Sequence, residues 1–506
     1  MPKSLTDKTL SGVNWNLAKT YGKTVLNIIV GIILARLLPP TDFGLLKMTF
    51  IFIGLADLFS TLGMGASVVK QKNLTDIHIA TATTVTILLG ISIYIIFYFS
   101  APLIAEFYNE LRLIPILRTL SIIFIVKGFT AVSYSRLVRE IDFKSILVIE
   151  FGSYLFGYSI VSIILAVMGF GVWSLVFGRL ATNFISSIMT LKKVPPVLNF
   201  TIGKKEFKEL FAFGTGVSFS KLFNYGGNNV DNLFIGKLIN SDALGLYSRA
   251  YNLMTLPISK ISSGIYNVLF PAFAKVQNNT QSLRTAYFRT IKSTAFLLFP
   301  ILAAMIADAD YIILGLYGPK WEGAIKVFKI LIFAGFLRTT LSYSGAIAHA
   351  TGRVYKEVSQ QVIFVIILSI GAYFGAKYYN IEGVGYAVIV ALGYKFIAQS
   401  NLSIKIIESN WSSFFKVLLP GVASALVMFL IIFFSVYLLE LTAAELPYPV
   451  KLLITMIIGA VTYLATIIFL PEKIKSDSFT WLLEKYGKFV PSKFKILYFK
   501  FNPIES

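Results

Sequence analysis

Long apolar segments follow one another through this chain almost without a polar pause, and that pattern limits what it can fold into. A helix that crosses the hydrocarbon core of a bilayer needs about 20 mostly apolar residues, and a ruler of that length finds about fourteen segments here. They centre near residues 25, 55, 92, 124, 157, 181, 222, 258, 298, 338, 367, 394, 427 and 460. Composition agrees: 56% of residues are hydrophobic, only 14% are charged, and the mean hydropathy is +0.74, against about 25% charged in a soluble chain. The expected fold class is therefore all-α, a polytopic membrane protein of about fourteen transmembrane helices. Cysteine is absent, which excludes disulfides, thiolate nucleophiles and Cys-based metal sites. The polar N-terminus opens a long first helix with no small-residue cleavage site after a short apolar core, so a cleaved leader is not expected.

The formal net charge of +21 is spread through short hydrophilic gaps and forms no single stripe interleaved with aromatics, so nucleic acid is not the expected partner. It reads better as topology. With an even number of spans both termini share one side of the membrane. Clusters at Arg136/Arg139/Lys144, at Lys192/Lys193/Lys204/Lys205/Lys208 and in the tail from Lys473 to Lys500 fall on that side. The opposite gaps hold Arg36, Arg112, Lys237, Lys320, Lys377 and Lys451. This asymmetry places both ends in the cytoplasm.

An internal repeat recurs at an offset near 200 residues. LARLLPPTDFGLLKM from Leu34 aligns with IGKLINSDALGLYSR from Ile235, matching Arg36 to Lys237 and Gly44 to Gly245. Val13, Trp15, Tyr21 and Gly22 match Val217, Phe219, Tyr225 and Gly226, and GFGVWSLV from Gly169 resembles GVGYAVIV from Gly383. Because each copy holds an even number of spans, the copies have the same orientation, a parallel repeat of the kind whose halves rock about a central cavity. The expected organisation is a six-helix lobe over 1–200, a second over 201–410, two appended helices over 411–472 and a basic cytoplasmic tail over 473–506.

Charged groups inside spans cost about 2.5–3.5 kcal/mol each on insertion scales and usually face a bundle interior or a watery cavity. Lys127, Arg179, Lys221, Arg249, Lys260, Arg338 and Lys395 lie within candidate helices of both halves, and Asp57, Glu150 and Asp231 are the clearest embedded acids. The excess of cations suits an anionic passenger, since Arg and Lys donate charge-assisted hydrogen bonds to phosphate and carboxylate oxygens. The alternative is that each cation snorkels or pairs within the protein. The three acids are candidates for ion coupling, with a salt bridge to a neighbouring helix the favoured reading for each. Trp173, Tyr317 and Trp321 sit near span ends, where interfacial anchoring accounts for them. Pro257, Pro300, Pro420 and Gly226/Gly227 are candidate bends, although membrane helices tolerate such residues without special purpose. His78 and His349 have no second ligand at metal spacing. No phosphate-cradling GxxxxGK[ST] loop is present and no soluble insertion is long enough for a glycosyltransferase domain, so neither catalytic residues nor a cofactor are expected.

Several stretches carry a family resemblance: LARLLPPTDFGLLKM (34–48), GMGASVVKQKNLTD (63–76), GFGVWSLVFGRL (169–180), DALGLYSRAYNLMTLPISKISSGIYNVLFPAFAKVQ (242–277) and LYGPKWEGAIKVFKIL (316–331). In order and spacing the chain resembles Wzx-type polysaccharide exporters of the multidrug/oligosaccharidyl-lipid/polysaccharide flippase superfamily, close to the branch that exports colanic-acid-like repeat units. The resemblance implies fourteen helices in two six-helix lobes and the flipping of an undecaprenyl-diphosphate-linked oligosaccharide across the bacterial cytoplasmic membrane. It also implies coupling to an ion gradient, contact with membrane lipids, and work alongside polysaccharide polymerase and chain-length proteins. Peptidoglycan lipid-precursor flippases and small-molecule multidrug exporters share the superfamily and are the alternatives.

Overall fold

The computed structural model describes residues 22–211 and 225–469. Lys221, the repeat-matched Val13, Trp15, Tyr21, Val217 and Phe219, and the basic tail from 473 lie outside the described residues. Within them the chain is helical and carries no strand. It forms two compact units, Met1–Gly245 and Leu246–Ser506.

The first unit contains α1 (22–37), α2 (Pro40–Ser60), α3 (Met64–Lys70), α4 (Asp76–Tyr108), α5 (Leu113–Arg139), α6 (Phe143–Val167), α7 (Val172–Lys193), α8 (204–211) and α9 (Val230–Leu238). Helix starts follow local chemistry. Pro40 opens α2, where its missing N–H costs nothing. Thr75 and the His78 side chain form a reciprocal cap at the start of α4, which gives one of the two histidines a structural role. In α6 the ladder widens to a π-helix over Tyr154–Val161.

The remaining helices are α10 (Ser241–Lys275), which begins in the first unit, and α11 (Thr280–Ala307), α12 (Ala309–Tyr317), α13 (Ala324–Ala350), α14 (Val354–Ile406), α15 (Trp411–Thr442) and α16 (Tyr448–Phe469). Among the described residues nine helices are long and apolar enough to cross a membrane. The 53-residue α14 is one of them, and at 1.5 Å per residue it would reach about 80 Å, more than twice the hydrocarbon thickness. It is in fact interrupted: Tyr379 and Asn380 leave helical geometry, and Asn380 takes φ +56°. The two arms then fold back on each other, with Gly375 against the backbone of Gly383 and Gly371 against Ala387. Both expected spans, near 367 and 394, are therefore present within one helical segment.

Two of the candidate bends lie at prolines that leave their helices continuous. Pro300 and Pro420 lie inside the uninterrupted helices α11 and α15, while the irregular backbone is at 154–161 and 379–380. Interfacial anchoring also fails for two aromatics. Trp321 is fully buried, Tyr317 nearly so, and their rings pack at 5.4 Å, because the 3-10 turn Pro319–Trp321 carries them back into the protein.

Backbones approach closely where α2 meets α10 in the first unit. A Cβ at Gly44 would fall on the carbonyl oxygen of Ser241, and a Cβ at Gly245 would fall on that of Pro40. The Thr41 hydroxyl donates to Asp242 Oδ1 at 3.0 Å. Gly44 and Gly245, Pro40 and Ser241, and Thr41 and Asp242 each stand 201 residues apart, which is the offset of the sequence repeat. Contacts that exchange equivalent positions are the signature of two-fold pseudosymmetry, so the starts of α2 and α10 cross as related copies of one element. Beside the crossing, Arg112 forks onto Glu110 at 2.7 and 2.6 Å, and Ser241 Oγ donates to the same carboxylate at 3.4 Å. The Arg112 hydrogen bond holds the Glu110 carboxyl below its usual range.

Candidate functional site

In the first unit, α2, α5 and α7 surround a cavity of about 380 Å³ that is markedly polar for a protein so apolar overall. Asp57, Ser60 and Thr61 come from the C-terminal end of α2 and the turn after it; Lys127, Thr130 and Tyr134 from α5; and Asn183, Ser186, Ser187 and Thr190 from α7. The α7 residues recur at helical spacing and so share one face. Arg179 stands one turn before Asn183 on that helix and lies over the Phe50 ring at 5.3 Å.

The two charges that line this cavity, Asp57 and Lys127, are paired, and a second pair stands behind its Tyr134. Lys127 Nζ donates to Asp57 Oδ1 at 2.6 Å, with both side chains about two-fifths exposed to the open space. Glu150 accepts from the Tyr134 hydroxyl at 2.6 Å and from Lys23 Nζ at 3.2 Å. The salt-bridge reading of Asp57 and Glu150 thus describes the structure in hand. Arg179 is exposed and faces no carboxylate among the described residues.

Asp231 is placed elsewhere. Buried at 3% exposure, it accepts from the Asn232 backbone and side-chain amides at 2.8 Å each and acts electrostatically on Lys47. Lys47 Nζ in turn donates to Asn229 Oδ1 at 3.1 Å, so α2 and α9 are joined by a polar contact. Tyr225 adds a second link by donating to the carbonyls of Phe50 and Ile51 at 2.9 and 2.8 Å.

The second unit brings Arg338 and Lys395 into one electrostatic neighbourhood, where Glu357 and Arg338 are the charges acting on Lys395. Lys395 Nζ donates to Gln361 Oε1 at 2.6 Å and lies 5.1 Å from the Phe364 ring centre. Gln399 donates to Glu357 at 3.3 Å, and Arg338 donates to the Tyr251 hydroxyl. Arg249 hydrogen-bonds Tyr317 and so ties α10 to α12. Lys260 is exposed on α10. No group of three or more His, Asp or Glu that could hold a metal ion occurs among the described residues.

The cavity thus sets charged and hydroxyl side chains among apolar helices. The model of the family described as "Polysaccharide biosynthesis protein" matches residues 33–326, more than half of the 506 residues. The chain belongs to that family. Curated relatives of this polysaccharide biosynthesis protein include the teichuronic acid biosynthesis protein TuaB of Bacillus subtilis (strain 168), 27% identical over 69% of this chain and 73% of TuaB. The lipopolysaccharide biosynthesis protein WzxC of Escherichia coli (strain K12) is 27% identical over 73% of this chain and 76% of WzxC. Among solved structures, the inward closed conformation of the lipid II flippase MurJ aligns with 94% of this chain and all of that one, at 16% identity and a TM-score of 0.71. The fold is therefore one shared with MurJ, all-α and polytopic, as the apolar spans predicted.

Several site residues escaped sequence reasoning. Lys23, Lys47, Tyr134 and the Asn183/Ser186/Ser187/Thr190 face carry much of the polarity. The α7 face was detectable in principle, since four small polar residues at helical spacing inside an apolar span form a stripe.

Proposed function

We propose that this chain flips a polyprenyl-diphosphate-linked oligosaccharide repeat unit, of the undecaprenyl type, across the bacterial cytoplasmic membrane for surface polysaccharide assembly. The observation that carries the reading is a charged, polar cavity enclosed by α2, α5 and α7 in a chain of the polysaccharide biosynthesis family. The names of TuaB and WzxC point to the same process. In this mechanism fourteen spans form two six-helix lobes over 1–200 and 201–410, followed by two appended helices and a basic tail, with both termini cytoplasmic. The lobes alternate access: the diphosphate and glycan enter a cavity lined by the cations of both lobes while the polyprenyl tail stays in lipid. An ion gradient drives the cycle, with Asp57, Glu150 and Asp231 as candidate coupling groups. No covalent step is involved, and the polymerase and chain-length proteins act on the delivered unit. A second reading, flipping of a peptidoglycan lipid precursor, is favoured by the fold it shares with MurJ.

Hydrogen bonds to charged groups contribute about 1.5–3 kcal/mol each. Neutralising Arg179, Lys221 and Arg338 together is therefore expected to abolish flipping of a lipid-linked oligosaccharide by the reconstituted full-length chain, with expression and membrane insertion unchanged. Transport at the wild-type rate in that variant would overturn the cationic-cavity mechanism.

A further inference from the structure

One buried carboxyl takes no part in the mechanism above. Asp308 lies in the turn between α11 and α12, outside the spans, and is only 6% exposed. Although it occupies the N-cap position of α12, its side chain makes no capping bond to that helix. Instead Oδ2 accepts one hydrogen bond, from the Thr455 hydroxyl of α16 at 2.8 Å. Oδ1 is buried with no hydrogen-bond partner among the described residues, an arrangement that costs a carboxylate dearly in a low-dielectric site.

The neighbouring charges do not repair this. On α12, Asp310 is paired with Lys329 of α13 at 2.6 Å, and the Tyr311 hydroxyl donates to Glu440 of α15 at 2.6 Å. On α16, the buried Lys451 donates to Glu440 at 3.0 Å and lies 5.5 Å from the ring centres of Tyr311 and Tyr448. Both lysines at this corner are thus committed to other carboxylates, and the charge that acts on Asp308 is that of the like-charged Asp310.

We propose that Asp308 is a proton-binding site that clasps α16 to the corner between α11 and α12, held in its neutral form while the clasp is shut. A protonated carboxyl needs no counter-charge, and its carbonyl oxygen can still accept from Thr455. Burial pushes the carboxyl up to about 7, with the Thr455 bond pulling it down and Asp310 adding a smaller push upward. The folded value therefore lies above the unfolded one of 3.8. Stability from this group is fully present below the unfolded value and is lost as pH rises through the folded value. Alkalinisation thus loosens the contact between α16 and the rest of its unit. The inference does not depend on the cargo.

The test is thermal unfolding of the purified full-length chain between about pH 5 and about pH 8, read together with the infrared carboxylic C=O band. The wild type is expected to lose several degrees of Tm between about pH 5 and about pH 7, with the decline levelling off as the carboxylic band is lost near the folded value of about 7. Asp308→Asn, which mimics the neutral form, should flatten the decline and lack that band. Asp310→Asn, at a half-exposed group paired to Lys329, should keep the band and the decline and move the titration only slightly to lower pH, because it removes the smaller upward push. If Asp308→Asn fails to fold, Thr455→Val leaves the carboxyl in place without its donor and should move the band's titration to higher pH. A band and Tm slope unaltered in Asp308→Asn, or a titration unmoved in Thr455→Val, would overturn the proposal.

Discussion

Replacing Gly44 or Gly245 with alanine is expected to disrupt the crossing of α2 with α10, and surface-polymer export with it. The added Cβ meets a carbonyl oxygen of the partner backbone, Ser241 or Pro40, and backbone cannot swing aside as a side chain tip does. Overpacking of this kind costs about 1–3 kcal/mol, enough to shift a two-state population by roughly 5- to 150-fold. Each substitution should therefore deplete the conformation in which the crossing is closed, while conformations in which α2 and α10 separate tolerate it. Because the chain has no native cysteine, a Thr41→Cys/Asp242→Cys pair reports the crossing directly. Cross-linking should be efficient in the parent and fall at least about fivefold with either alanine. Undiminished cross-linking and export would show that the crossing is not a point the transport cycle must open and close.

The second large effect is expected at Asp57 and Lys127. Breaking a buried ion pair by removing one partner costs about 3–5 kcal/mol because the other charge is left uncompensated. Here both side chains are about two-fifths exposed to the cavity, so roughly 1–3 kcal/mol is expected. Asp57→Ala and Lys127→Ala should each lower folded yield in the membrane and transport, whereas Asp57→Lys with Lys127→Asp should recover part of both. A double-mutant cycle on membrane-inserted yield and transport rate measures the coupling directly. Additive losses with no recovery on charge exchange would mean that each residue acts alone.

Much of the architecture was legible because lipid imposes simple rules. Apolar length marked most of the long helices among the described residues, and the repeat was visible through Gly44 and Gly245, the positions at which the backbones of α2 and α10 meet. Pairing was less legible. Asp57 and Lys127 stand 70 residues apart and Glu150 and Lys23 stand 127 apart, and nothing in a single sequence fixes which faces of distant helices meet. The turn at Asn380 was legible as the gap between the expected spans near 367 and 394, while Pro300 and Pro420 lie inside single helices. Trp321 and Tyr317 were misplaced. Aromatics near span ends are commonly interfacial, but the turn at Pro319–Trp321 folds inward. Asp308 was passed over because it lies in a gap between spans, where a charge ordinarily has water; its burial comes from α16, whose docking the sequence does not reveal.

The central claim is that the chain carries a lipid-linked oligosaccharide from one leaflet to the other. Deleting its gene in the native host and measuring lipid-linked oligosaccharide by mass and leaflet, beside surface polysaccharide, tests it most directly. Loss of surface polymer with accumulation of the lipid-linked unit on the inner leaflet, reversed by the intact gene, is the predicted result. Unchanged surface polysaccharide with accumulated peptidoglycan precursor, or with altered drug tolerance, would contradict it.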